Sequence, residues 1–516
     1  MTESRKNAGL LLITSLGIGI VFNFLFWGTH WGINYPIGVA LVLGIGLWQA
    51  KQMGIQMHRN NRILLVIAII FPLITLWRRE PFSLFINSLV VLLALFTLTI
   101  AFVKGKWPEF RLLDFISRFS LIPFQGWTSY RAQRTGDAKS RRQISASIGR
   151  GLLLALPILI VLSALLASAD YVFAEWLENI FAWLRIENFV EFIWRAIWIV
   201  AVAMISLMAY SYAFLQSGKN KLFKGGKELF DPFLGIIETA MVLGSVIALY
   251  SVFVGIQFRY FFGGILNINA TGFTYADYAR RGFAELVLVS VISIALYMIL
   301  SIVGKRVNRR ETRIFSFMSM TLLGLVSVML ISAFQRLVLY EEIYGFTRTR
   351  TNVHIFMILL GLFFVALLVA EFRQERRNFT RVLIATLLIF GLVLPIVNVD
   401  AFVVRANIDI YEENGAIDVA YLGGLSENGL QALWGELDGL PFEKQTPVLA
   451  AIGCYQALND FDHFAWQNIN FALTSAEASM ANEYQSRMKA DLTDEFGTTM
   501  IVVDGEEFEC QSYYYD

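Results

Sequence analysis

Charge is scarce in this sequence: Asp, Glu, Lys and Arg make up 16% of its 516 residues, against roughly 25% in ordinary globular domains. With 56% hydrophobic residues, the chain falls in the membrane class before any segment is read. Cysteine is nearly missing. Cys454 and Cys510 are the two present, enough for one optional disulfide and too few for a multi-bridge scaffold. Histidine is equally sparse, and no Cys or His spacing suits a metal, so neither a metal nor another cofactor is expected. No glycine-rich phosphate loop precedes a cationic helix start and no nucleophile elbow occurs. The tail contains no kinase, phosphatase or DNA-reading module, so nucleic acid is not an expected partner.

What is present is a series of about eleven apolar stretches long enough to cross a bilayer. They cover 8–28, 33–50, 62–78, 83–103, 149–169, 192–215, 233–258, 283–304, 314–334, 353–371 and 382–398. The first resembles a signal peptide, but its apolar run is long and lacks a small-residue cleavage site, so it reads as an uncleaved span. The expected fold is an all-α polytopic membrane bundle over 1–398, followed by a small α+β soluble domain over 399–516.

The loops between spans alternate in charge. Arg5 and Lys6, then Lys51, Arg59 and Arg62, then the cluster from Lys104 to Arg150, then Lys219 to Lys227, then Lys305 to Arg313, then Arg373 to Arg381 fall in every second loop. Basic residues are retained on the cytoplasmic side. The expectation is an N-terminus inside, an odd number of spans and a C-terminal domain outside, in a bacterial cytoplasmic membrane. That domain carries 21 acidic against 4 basic side chains, which repels anionic lipid and favours cationic partners or divalent ions.

Residues 107–127, mixing aromatics with cations, read either as a helix at the inner headgroups or as a solvated basic loop that sets topology, and 171–190 reads as a surface helix on the outer side. In the tail, Ser426, Thr446 with Pro447, and Ser475 mark helix starts. Asp504-Gly505 between β-prone runs marks a terminal hairpin.

Mid-span positions are nearly free of ionisable residues, which argues against an ion-driven transporter. The polar residues that stand out gather in two outer loops. One holds Tyr275, Asp277, Tyr278, Arg280 and Glu285, and the other holds Arg336, Tyr340, Glu341, Glu342, Arg348, Arg350 and His354. Arginine suits bidentate carboxylate or phosphate contacts. Either these loops form an outer-leaflet pocket for an anionic lipid headgroup or another anion, or they form an ion-pair lattice that locks the span ends. His354 reads as an interfacial packing residue.

The stretches Thr274 to Leu286, Arg336 to Arg350, Asn398 to Tyr411, Ile417 to Leu433 and Phe464 to Ala476, in that order, resemble a bacterial family of polytopic membrane proteins catalogued as a domain of unknown function. The resemblance implies a cytoplasmic-membrane protein with a C-terminal extension. It also marks Tyr275, Asp277, Tyr278, Arg280, Gly282 and Glu285, with Arg336, Tyr340, Gly345 and Arg350, as positions of the family pattern. The leading expectation is a cell-envelope sensor or assembly partner that engages membrane lipid or an envelope protein at its outer face. The alternatives are a transporter or flippase for an anionic or lipid-linked substrate, and a membrane enzyme acting on a lipid-linked substrate.

Overall fold

The computed structural model describes residues 3–78, 80–110, 112–134, 186–218, 232–261, 283–373, 379–415, 417–459, 466–468, 471, 488–493 and 499–510. The expected span at 149–169, residues 171–185 of the second surface helix, the helix after Ser475, and Tyr275, Asp277, Tyr278 and Arg280 lie outside the described residues.

Apolar runs become helices because lipid leaves every backbone N–H and C=O to be satisfied within the segment. The bundle comprises α1 (Glu3–Phe26), α2 (Asn34–Gln52), α3 (Arg62–Ile74), α4 (Pro81–Ala101), α5 (Leu112–Arg134), α6 (Ile186–Leu215), α7 (Ile236–Phe261), α8 (Phe283–Val303), α9 (Arg309–Tyr344), α10 (Arg348–Phe372) and α11 (Phe379–Val397). Among the described residues, seven helices are long and apolar enough to cross a membrane. They number eight if α11 and the helix after it, bent by 50°, form one span. Ten of the eleven expected spans fall on described residues, so two or three of those ten are not long and apolar enough. Helix α3 has 13 residues, about 20 Å at 1.5 Å per residue, against a hydrocarbon core of roughly 30 Å. In α2 the apolar run is diluted by Asn34 and Tyr35 at one end and by Gln49, Lys51 and Gln52 at the other.

The described bundle has two lobes. Helices α1 to α6 share one core, including Leu11, Ile18, Val91 and Leu207. Helices α7 to α10 share another, including Leu243, Tyr297, Phe315, Leu323 and Phe364. Helix α11 packs against α10 on one side and α4 on the other, and so bridges them. In lipid, helices associate by close packing more than by hydrophobicity, and the first lobe shows it. A Cβ on Gly19 would lie 2.4 Å from the Ile199 carbonyl oxygen, and one on Gly126 would lie 2.3 Å from that of Met208. Thus α1 and α5 both press backbone to backbone on α6. Helix α5 occupies the expected surface segment, with Phe119 and Phe124 exposed.

The loops cluster at two ends. At the basic end, His58 N donates to Phe102 O at 3.0 Å, Lys305 N donates to Leu234 O at 2.7 Å, and Arg381 Nε donates to Pro108 O at 2.7 Å. At the opposite end the chain leaves α11 through Asn398, in the left-handed region at φ 49°, and enters α12 (Val399–Asn414). Helices α13 (Val419–Gly423), α14 (Glu427–Gly435) and α15 (Phe442–Asn459) follow, then strands β1 (Met488–Thr493), β2 (Thr499–Val503) and β3 (Glu506–Glu509). These form a cap whose core holds Val403, Leu422, Leu433, Val448 and Val503 and reaches Ile86, Phe390 and Leu394 of the bundle.

Three details of the cap bear on the sequence reading. The hairpin falls where expected, with Asp504 and Gly505 at φ 54° and 92° joining antiparallel β2 and β3, as a two-residue turn of this type requires. Helix α15 starts at Phe442, one turn before Thr446 and Pro447. The helix expected after Ser475 takes in Met488, but Met488 instead opens β1, which pairs antiparallel with β2 with a register shift between Lys489 and Leu492; pairing with a neighbouring strand outweighs local propensity here. Cys454 of α15 and Cys510 after β3 are joined as a buried disulfide. Closing a loop of that separation stabilises by about 2–4 kcal/mol.

Candidate functional site at the junction of bundle and cap

Chain breaks between helices leave carbonyls and N–H groups without intrahelical partners, and at the cap end charged side chains fill these vacancies. Helix α9 stops at Gly345, whose φ of 76° favours glycine and where a Cβ would lie 2.5 Å from Asn407 Oδ1. Asn407 of α12 brackets the next residue: Phe346 N donates to Oδ1 at 3.1 Å, and Nδ2 donates to Phe346 O at 2.8 Å. Arg350 Nη1 donates to Gly345 O at 2.7 Å and Tyr344 O at 3.3 Å, and its guanidinium lies 4.3 Å from the centre of the Tyr340 ring.

Arg348, the first residue of α10, joins the cap. Its Nε donates to Asp400 Oδ1 at 2.7 Å and Nη2 to Oδ2 at 2.6 Å, a bidentate pair of the strong kind. Asp400 is fully buried, and Ser426 N donates to its Oδ2 at 3.0 Å. The Arg348 backbone N–H donates to Tyr421 Oη at 2.6 Å. Burial is the largest influence on the Tyr421 phenol and helps raise its pKa. From the α3–α4 loop, Arg78 Nε donates to Pro395 O at 2.7 Å, a carbonyl orphaned by the end of α11. Its Nη1 donates to Asn428 Oδ1 at 2.7 Å.

Beside this clamp sits Glu80, 3% exposed, just ahead of Pro81 at the start of α4. Neither carboxylate oxygen reaches hydrogen-bond geometry with a described group. Burial first, and the neighbouring Asp400 carboxylate second, push its pKa up to about 7, against the weaker pull of its own backbone amide, Arg78 and Arg348. It is a carboxylic acid poised to change charge near neutrality.

The described candidates turn to different partners. Arg348 faces the cap and Arg350 its own hairpin. The buried Arg336 donates from Nη2 to Gln257 Oε1 of α7 at 2.8 Å, and Glu285 is exposed in the first turn of α8. Tyr340 packs against Tyr344 with ring centres 4.9 Å apart and planes tilted by 53°. His354, read as a packing residue, pairs through Nδ1 with Glu341 Oε2 at 2.8 Å, with Glu341 1% exposed. Among the described residues, no group of three His, Cys, Asp or Glu side chains could hold a metal ion.

Sequence reasoning passed over Arg78, Glu80, Asp400, Tyr421 and Asn428 as site residues. One local signal was available: Arg78, Arg79 and Glu80 are three consecutive charges immediately before the proline that starts α4.

Long apolar helices in two lobes, with a charged junction to a polar cap, define a multi-pass integral membrane protein. The family described as Domain of unknown function (DUF4153) matches residues 63–434, and the chain belongs to that family. The match takes in both lobes from α3 onward and the cap through α14, leaving α15, the sheet and the disulfide beyond it. No curated protein and no solved structure matches the chain.

Proposed function

We propose that the protein is a cell-envelope sensor or assembly partner of the bacterial cytoplasmic membrane, with its cap outside and its N-terminus in the cytoplasm. Residues 1–398 form the membrane domain and 399–516 the external domain. The observation that carries this reading is the buried bidentate Arg348–Asp400 pair, because it makes the cap's position dependent on the ends of the membrane helices. A ligand or envelope protein bound by the cap would then bias the bundle.

The orientation draws support from the basic end lying opposite the cap and from the cap's disulfide, since disulfides persist in oxidising compartments. The cap presents Asp409, Glu412, Glu413, Glu443, Glu506 and Glu507 to solvent, a surface for a cationic segment of a partner. Membrane lipid and an envelope protein are the partners proposed, and Tyr275, Asp277, Tyr278, Arg280, Glu285, Arg336, Tyr340, Arg348 and Arg350 remain the proposed ligand-binding set.

The test is site-specific photo-crosslinking from positions 412 and 443 in intact cells, with impermeant thiol labelling at the same sites to report the side. A discrete crosslinked protein, lost when Arg348→Gln loosens the cap, is the expected result. Labelling only after permeabilisation would overturn the orientation, and crosslinking indifferent to Arg348→Gln would overturn the coupling.

A second reading, transport of an anionic or lipid-linked substrate, is favoured by the buried Glu341–His354 pair between α9 and α10, since ionisable residues kept inside a bundle mark ion or substrate paths.

A further inference from the structure

The clamp between bundle and cap leaves buried polar groups idle. Glu80, outside the spanning segment and just ahead of Pro81, has neither carboxylate oxygen in a hydrogen bond with a described group. The Ser426 hydroxyl, on the residue whose N–H donates to Asp400, is buried without a described partner, and so is the Thr351 hydroxyl, one turn along α10 from Arg348. A buried network with unused donors and acceptors has a second arrangement within reach.

Burial acts most strongly on Glu80 and opposes its charge, as does the Asp400 carboxylate of α12; its own backbone amide, Arg78 of the α3–α4 loop and Arg348 of α10 favour the charge more weakly. Tyr421 of α13 and the buried Glu427 of α14 are not among the groups that act on it, and Arg79 lies outside the described residues. Arg348 is thus drawn by two carboxylates: it is bonded to both oxygens of Asp400 and attracted without a bond by Glu80. With Glu80 neutral, the guanidinium balances Asp400 alone. With Glu80 ionised, two buried negative charges repel each other and share one cation. A buried carboxylate without hydrogen bonds is costly, so it draws Arg348 and the idle hydroxyls towards itself.

We propose that Glu80 is a proton-binding switch at the base of the cap: neutral, it leaves Arg348 clamped on Asp400, and ionised, it competes for Arg348 and loosens the cap. The switch responds to pH on the cap side of the membrane. The step moves one proton between water and a Glu80 oxygen and changes no other covalent bond. The proposal deepens the sensor reading by naming the proton as a stimulus, and rests on that reading for how the cap's position acts on the bundle.

The experiment measures the distance between spin labels on the full chain in lipid nanodiscs, one on Lys51→Cys at the basic end and one on Glu443→Cys of the cap, both exposed positions, from about pH 5 to about pH 9. The expected result is a narrow distance distribution on the acid side that broadens as pH rises through about 7. Glu80→Gln, a lasting neutral stand-in, should hold the narrow distribution throughout. Arg78→Gln removes a cation that favours the charged form and should shift the midpoint upward, whereas Arg78→Lys keeps the charge and should restore it. Should Glu80→Gln not fold, the wild type and the two Arg78 variants decide alone. A wild-type distribution that stays the same at every pH overturns the proposal, as does a Glu80→Gln protein that still responds or a midpoint blind to the Arg78 charge. Crosslinking from position 412 reports separately on the sensor reading: a pH-driven cap with no crosslinked partner sinks the sensor and leaves the switch standing, and a crosslinked partner with a pH-blind cap does the reverse.

Discussion

The two lobes of the bundle are built by different means. Inside the first, helices meet through glycines and neutral polar groups: Gly19 and Gly126 lie against the α6 backbone, Tyr210 Oη donates to Val42 O at 2.7 Å, and Gln49 donates to Thr14. Asn34 Nδ2 closes the α1–α2 turn on Leu25 O and His30 O, both at 2.9 Å. Inside the second, the helices that bear on the cap keep Arg336, Glu341 and Glu371 buried, whereas the buried charges of the first are Arg118 in α5 and Glu80, which lies at its cap end. Neutral glue fixes a shape at little cost, whereas buried charge is expensive and changes with its partners. The first lobe thus rests more on close neutral contacts, and the second lobe with its junction to the cap more on buried charge.

The comparison breaks most sharply at Arg348. Replacing it with alanine leaves Asp400 charged, buried and unpaired, a loss of about 3–5 kcal/mol. Limited proteolysis should then cut at the loosened junction of cap and bundle while the first lobe stays intact. Glu80 gives the next effect. Its pKa rises from an ordinary 4.5 to about 7 in the folded protein, so between those values the folded state holds a proton that the unfolded state has lost. Stability is therefore greatest below about 4.5 and falls as pH rises through about 7, by on the order of 3 kcal/mol in all. Glu80→Gln should flatten that slope in melting curves recorded against pH.

Gly19→Val probes the scaffold. Its methyl groups have no room against Ile199 O, and a cost of about 1–3 kcal/mol should appear as a lowered melting temperature independent of pH. The smallest effect is predicted for Arg195→Gln. Its pair with Glu191 is about half exposed at both ends, and exposed pairs of this kind contribute little, so melting should match the wild type.

Much of this fold was legible in the sequence because its signals are local. A run of about 20 apolar residues can satisfy its backbone in lipid only as a helix, and Asp504-Gly505 can scarcely be anything but a tight turn. The shortfalls differ in kind. Helix α3 ends early at Thr75, after Pro72, which is a local signal, whereas β1 depends on a partner strand that its own residues do not name. The site was half legible for the same reason. Arg348 and Arg350 stand out as cations in sparse loops, but the partner that decides what Arg348 does is 52 residues away. Glu80 precedes an apolar run and reads as a span end until Arg348 and Asp400 arrive from other helices.

The joint at Asn398 has a mechanical consequence. Between α11 and the cap the chain crosses once, so the peptide alone would leave the cap free to swivel about a point. The hairpin tip at Phe346 and Arg348 supplies a second support, and the α3–α4 loop, through the Arg78 bond to Asn428 and the Phe471 N–H bonded to Leu76 O at 2.8 Å, supplies a third. Three supports fix a plane. Removing any one leaves two, and two define an axle, so the cap would then tip about a known line instead of coming away.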